Sequence, residues 1–385
     1  MKETKFKNTE IGMIPDDWEV KKLGAVFDIG NGRDYKHLDT GKIPVYGTGG
    51  LMTYVNEYLY DGETVCIGRK GTINMPQYHN GKIWTVDTLF YTYNFRKTDV
   101  KFLYYLTQRI DWNSYNTATG VPSLTSQNIS NILVSFPPLH EQHRIASALT
   151  SIDNLISSLG KLIEKKKNIK QGAMQQLLTG KTRLKGFSEP WVEKKLGDVA
   201  VNYTGLTYSP MNVKSYGTLV LRSSNIQKGI LAFNDNVFVD MDIPSRAIAK
   251  KNDLLICVRN GSKALIGKSA VITDYADGMA FGAFMTILHA NDIQQGFLNY
   301  LWQTDYIQQQ VKDNMGATIN QITNADIEQF KIVVPHSLKE QQAIATILTK
   351  MDDEITALEA KKAKYEAIKQ GMMQQLLTGK IRLIS

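Results

Sequence analysis

Apolar residues at Ile145, Leu149, Ile152, Ile156, Leu159 and Ile163 recur at alternating spacings of four and three, in a stretch free of glycine and proline from residue 139 to Gly160. That is a heptad seam, and it predicts a long helix with a narrow apolar edge. A second seam runs through Ile344, Leu348, Met351, Ile355 and Leu358, breaks at Lys362 and resumes at Tyr365. Lys165, Lys166, Lys167, Lys361 and Lys364 occupy the outer faces, which suits a two-helix contact better than a broad buried stripe. Gly180 and Gly379 predict the helix ends, because glycine tolerates the left-handed conformation that follows a helix C-terminus. Outside the two seams the pattern is one of short β-like runs separated by Gly- and Asn-containing turns.

The two helices belong to an internal repeat. IKQGAMQQLLTGKTRL (169–184) returns as IKQGMMQQLLTGKIRL (368–383), with 14 of 16 positions identical at an offset of 199. WEVKKLGAV (18–26) matches WVEKKLGDV (191–199), and the segments around Pro137 and Pro335 match, whereas the stretches between do not. The chain keeps a frame and varies what the frame holds. These breaks give a first domain (1–138), a first helix (139–180), a second domain (181–337) and a second helix with its tail (338–385).

Connectivity constrains the helices. About 40 residues at ~1.5 Å each reach on the order of 60 Å, while a domain of the size of 188–337 has a radius of gyration near ~15 Å. Such a domain joins two adjacent helix ends more easily than two distant ones, so the helices are expected to run antiparallel, with one domain at each end of a dumbbell.

Composition narrows the class. With 43% hydrophobic and 21% charged residues the 385-residue chain reads as globular, and no run approaches a membrane span or a secretory leader, so a cytoplasmic protein is expected. Cys66 and Cys257 lack metal or redox spacing and read as buried thiols. The net charge of +8 is uneven: +1 over 1–138, +6 over 139–187, −1 over 188–337 and +2 over 338–385. A basic balance is compatible with nucleic acid, but clustering on a face matters more than the total.

Two unlike domains, the doubled lead-ins FPPLHEQHRIA (136–146) and VPHSLKEQQAIA (334–345), and doubled helices closing in QGxMQQLLTGKxRL together resemble the specificity subunit of type I restriction–modification enzymes. The resemblance spans the chain. It implies an α+β fold of two target-recognition domains joined by an antiparallel coiled coil with pseudo-two-fold symmetry. It also implies that each domain reads one half of a bipartite, asymmetric site on double-stranded DNA. Two modification (methyltransferase) subunits and restriction subunits would be partners, methyl donor and metal would sit on those partners, and this chain would bind no cofactor and catalyse nothing. The second lead-in departs from the first, with His336 and an inserted Ser337 where the first has Pro138.

Base readout is expected on Gly-punctuated strand ends, since arginine can grip guanine bidentately, asparagine can pair with adenine and lysine mostly meets phosphate. The candidates are Arg33, Tyr35, Lys36, Arg69, Lys70 and Thr72 in the first domain, and Arg222, Ser224, Asn225, Arg259, Asn260 and Lys263 in the second. The polar segments 116–128 and 314–326 occupy matching positions and read as structural. Met174, Leu177, Leu178, Met372, Met373, Leu376 and Leu377 offer more apolar surface than one seam consumes, which predicts a docking face for partner subunits.

Several motifs fail on inspection. Phe136-Pro137-Pro138-Leu139 lacks the polar and aromatic residues of an amino-methyltransferase loop. Pro15, Asp16, Glu19 and Lys21 crowd a nuclease-like set into seven residues, and the second copy has no acid after Pro190. Gly180-Lys181-Thr182 follows a helix and has Gln175 where a phosphate loop needs glycine. His140 and His143 are three apart instead of the four a zinc protease needs. Gly47, Gly49 and Gly50 continue to Met52 without the third glycine of a dinucleotide fingerprint. The alternatives are a two-domain protein-interaction scaffold without DNA specificity, and a self-contained methyltransferase or nuclease.

Overall fold

The computed structural model describes residues 5–316 and 320–384. It divides into two compact units, Met1–Lys161 with Glu359–Ser385, and Leu162–Leu358. Each contains part of both long helices, Leu139–Leu177 and Leu338–Leu376. Both helices run unbroken through their internal glycines.

The first unit is framed by the strand Glu19–Lys22, paired antiparallel with Leu133–Phe136 just before the first long helix. A four-stranded sheet follows in the order Asp28–Asn31, Leu89–Tyr93, Thr64–Gly68, Gln77–His79. Thr64–Gly68 is buried at every position, which explains why it reads as a continuous apolar run without alternation. A second sheet pairs Lys82–Thr85 parallel to Thr40–Gly47. The core gathers Trp18, Phe102, Trp112 and Phe136 around Ile145 and Leu149 of the first helix and around Leu376 and Leu377 at the end of the second.

The second unit repeats this plan with different residues. Trp191–Lys195 pairs with Lys331–Pro335, and its four-stranded sheet runs Ala200–Thr204, Met285–Ala290, Leu254–Cys257, Ser269–Val271. The parallel pair recurs between Thr218–Leu221 and Ala280–Phe281. Phe297, Trp302 and Phe330 pack with Ile344 and Leu348, and with Met174, Leu177 and Leu178 from the end of the first helix.

Within each unit the two helical segments run antiparallel. Lys369 meets Asp153 at 2.7 Å in the first unit, and Lys170 meets Asp352 at 2.6 Å and Lys166 meets Glu354 at 2.6 Å in the second. The seam residues Ile152, Leu159, Ile163 and Ile355 are buried, while Ile156, Met351, Leu358 and Tyr365 are half-buried. A domain helix is tied to this pair identically in both units: the Tyr105 hydroxyl donates to Asp153 and that of Tyr300 to Asp352, each at 2.8 Å.

Four details correct or sharpen the sequence reading. The second lead-in does carry one extra residue, and it is His336: the Gln341 side chain donates to the Pro335 carbonyl as that of Gln142 does to Pro137, while the Glu340 amide donates to the Ser337 carbonyl as the Glu141 amide does to that of Pro138. The helices end at Leu177 and Leu376, short of Gly180 and Gly379, which take φ of 69° and 68° in the turns beyond. Cys66 and Cys257 are free and buried, and burial pushes the Cys66 thiol up to about 12. Among the described residues no helix is long and apolar enough to cross a membrane.

Candidate nucleic-acid interface

The strands Asp28–Asn31 and Thr64–Gly68 are both antiparallel to Leu89–Tyr93, hence parallel to each other, and release Arg33 and Arg69 at the same end of the sheet. Close backbone packing holds both loops. A Cβ on Gly32 would lie 1.9 Å from the Val86 carbonyl oxygen, and one on Gly68 would lie 2.3 Å from that of Thr72, so only glycine fits either place. The Arg33 amide donates to Thr85, and the Arg33 carbonyl accepts from the Trp84 indole at 2.8 Å, which leaves its guanidinium exposed above a fixed backbone. Lys36 is exposed. Tyr35 is half-buried against a small cluster with Val45 and Trp84.

Arg69 donates weakly to the Asp87 carbonyl at 3.3 Å, and its guanidinium sits 5.8 Å from the Phe90 ring centre. Beside it, Lys70 bridges Ser123 and the Gly71 amide donates to Pro122. The polar segment 116–128 therefore runs along the Arg69–Lys70 loop. A cleft of about 570 Å³ opens between Arg69, Lys70, Val121 and Ser123, and Thr72 is exposed nearby in the chain.

The second unit builds the same juxtaposition. Arg259 follows the strand Leu254–Cys257 and bridges Gln321, and the Asn320 side chain donates to the Gly261 carbonyl at 2.8 Å. Residues 317–319 of the segment 314–326 lie outside the described residues. The Arg259 guanidinium is exposed, 5.0 Å from the Phe284 ring centre. Asn260 donates to the Ser223 hydroxyl at 2.8 Å and so joins the Arg222–Ser224 loop to the Arg259 loop. Lys263 is exposed.

Asn225 is placed otherwise than the sequence reading expected. It is fully buried: its amide donates to Ala232 at 3.0 Å and to Asp235 at 3.3 Å, and its oxygen accepts from the Arg222 amide at 2.9 Å. In this arrangement it holds the loop and offers nothing to a base. The expected docking face is also largely covered. Met174, Leu177, Leu178, Leu376 and Leu377 are core residues, and Met372 and Met373 pack half-buried against the first unit's core. The apolar surplus of the helix tails is consumed by the domain each tail supports.

What the sequence reading missed is the polar hub at each tail. Glu141 is buried and accepts from Arg382 Nε at 2.8 Å and Nη2 at 2.7 Å, and from the Trp18 indole at 3.1 Å, while Arg382 also forks onto Asp17. The Arg382 hydrogen bond lowers the Asp17 carboxyl below its ordinary value. Glu340 accepts from Arg183 Nε at 2.7 Å and Nη2 at 2.8 Å, but Pro190 stands where Asp17 would. The repeated Glu-Gln of the helix start and Arg of the tail were visible as a repeat, without a sign that they meet.

A doubled frame that varies its loops matches known proteins over most of its length. The family model for the type I restriction modification DNA specificity domain matches residues 15–171 and again 188–370. The chain belongs to this family. It is a specificity subunit that recognises DNA sequence through two such domains. It is similar to the type I restriction enzyme MjaVIII specificity subunit of Methanocaldococcus jannaschii, 26% identical over 99% of this chain and 97% of the relative. It is 30% identical to the Escherichia coli EcoKI specificity subunit over 47% of this chain and 40% of that protein. The crystal structure of the S subunit from M. genitalium shares the fold, with a TM-score of 0.65 at 18% identity over 97% of this chain and 98% of that one.

Proposed function

We propose that each unit of this specificity subunit reads one half of a bipartite DNA site through its strand-end loops, and that the paired helices set the spacer between the halves. The observation that carries this reading is the recurrence of one arrangement on two different loop sequences. In both units an exposed arginine follows the central buried strand, lies over an aromatic ring and is flanked by a polar segment leading to the long helix. Two dissimilar readers on one frame free the site from the palindromy that symmetric dimers impose.

The chain itself performs no chemistry in this proposal. Methyl transfer and cleavage belong to modification and restriction subunits, which carry the methyl donor and metal, and two modification subunits dock on the helical frame. With the apolar tails covered, the docking contacts fall on polar grooves beside the helices. One is lined by Gln108, Asp153, Glu366, Lys369 and Met373, and its counterpart by Gln303, Asp352, Lys167, Lys170 and Met174. Co-expression with a modification subunit, followed by mapping of methylated adenines, tests the whole reading. A two-part asymmetric consensus is expected. Methylation without such a consensus would overturn it, as would methyl transfer by the chain alone.

A further inference from the structure

Three loops of the first unit converge on the turn 85–88. The Arg33 amide donates to the Thr85 carbonyl, the Arg69 amide to that of Thr88, and the Val86 amide to that of Tyr46. Arg33 and Arg69 belong to the candidate interface, and the third loop, 47–50, joins the strand Thr40–Gly47 to the edge strand Gly50–Val55. A Cβ on Gly47 would fall 2.7 Å from Met52 Sδ and 3.5 Å from a Val86 methyl, and one on Gly71 would fall 3.8 Å from the Thr48 hydroxyl. The Gln77 side chain anchors the loop, donating to the Gly47 carbonyl at 2.9 Å. A Cβ on Gly49 or Gly50 would meet nothing within 4 Å, so the tip itself stands clear of the protein.

Just past the tip the strand register slips. Val45 faces Thr53 and Tyr46 faces Leu51, which leaves Met52 as an extra, bulged residue. A bulge interrupts the ladder and re-aims side chains. Here two consecutive large apolar residues are exposed, Leu51 at 52% and Met52 at 55%. One exposed apolar side chain is ordinary. An adjacent pair on a bulge, at a hairpin tip that shares its supporting turn with two exposed arginine loops, marks a contact surface.

Charge and shape select the occupant. The segments 33–36, 69–72 and 85–88 carry Arg33, Lys36, Arg69 and Lys70 against Asp34 and Asp87, an excess suited to phosphate. The major groove admits a two-stranded β-ribbon, and the apolar feature it presents is the thymine methyl group. We propose that the hairpin 40–55 enters the major groove tip first, and that Leu51 and Met52 pack on thymine methyl groups of the half-site read by the first unit. This rests on the reading of that unit as a half-site reader, and adds to it two residues that read bases without hydrogen bonds. The second unit holds polar residues at the same place on the frame: the Gly282 amide donates to Leu221 as that of Val86 does to Tyr46, and Arg222, Ser223 and Ser224 follow. Thymine reading at this position therefore belongs to the first unit alone.

The test uses the full chain with its modification subunit and the site mapped by methylation. Two duplexes carry that site, one natural and one with uracil for every thymine in the half read by the first unit. Uracil pairs as thymine does and lacks only the methyl group, whose burial is worth about four-fold in binding. The parent is expected to bind the uracil duplex about four-fold more weakly for each methyl contacted. The double variant Leu51→Ser, Met52→Ser is expected to bind both duplexes equally, while Met52→Leu keeps the preference, which separates a lost apolar contact from misfolding. Uracil placed in the other half-site should affect parent and double variant alike. Equal binding of the two duplexes by the parent, a preference that survives in the double variant, or a first half-site without an A·T pair would overturn the thymine contact. Each of these would spare the half-site reading and leave the bulged edge to a protein partner. Failure of the parent to prefer the mapped site over unrelated DNA would overturn both.

Discussion

Arg382 grips Glu141, a fully buried carboxylate 241 residues earlier, through two parallel hydrogen bonds of 2.8 and 2.7 Å. The contact ties the tail of the second helix to the start of the first, within the first unit. Its equivalent in the second unit, Arg183 with Glu340, has the same fork but lacks the Asp17 arm, and the Trp191 indole there has no partner where Trp18 has Glu141.

Breaking a buried pair from one side strands a charge, at a cost of about 3–5 kcal/mol. Arg382→Ala is therefore expected to destabilise the first unit by that order, and Arg382→Lys to recover only part of it, because lysine has no planar fork. Arg183→Ala should cost less. Urea unfolding of the three variants checks the order, and an unchanged midpoint for Arg382→Ala would remove the hub's structural role.

Arg69 and Lys70 are neighbours with different expected duties. Arg69→Ala should lose about 1–3 kcal/mol of binding and relax specificity at one position of one half-site. Lys70→Ala should weaken all sequences alike and lower the salt dependence by about one counterion. Binding to single-base variants of the site across a salt series separates them. Uniform weakening by Arg69→Ala would assign that arginine to the phosphates.

Exchanging residues 27–120 for those of a relative should change one half of the recognised site and leave the other intact. The exchanged segment contains the Arg33 and Arg69 loops, while the hub and the helices stay outside it. Methylation mapping before and after the exchange reads the outcome, and a change in both halves would contradict modular recognition.

His79 stacks on Tyr46 with ring centres 3.7 Å apart, and burial depresses its imidazole from 6.5 to about 4. The unfolded chain therefore takes up a proton before the folded one does, and stability rises with pH across that interval. Its contribution is complete above about pH 6.5 and is lost as pH falls toward about 4. His79→Gln should show a shallower decline in melting temperature between pH 7 and pH 5 than the parent chain. Parallel declines would place the acid sensitivity elsewhere.

Much of the fold could be read directly from residue order. The heptad seams, the doubled QQLLTGK tails and the paired lead-ins are local or periodic signals, and they specify long helices, a duplicated frame and the family. The candidate cations were legible as glycine-flanked loops because Gly32 and Gly68 mark places where backbone packs too closely for a side chain. Only tertiary structure decided which polar residues face solvent. Asn225 sits in a loop sequence suited to base contact, yet its amide is spent on Ala232 and Asp235. It also decided that Leu376 and Leu377 are core and not interface, and that Arg382 and Glu141 meet. Periodicity reports how a residue relates to its near neighbours along the chain. What covers an apolar face, or neutralises a buried charge, depends on segments more than a hundred residues away.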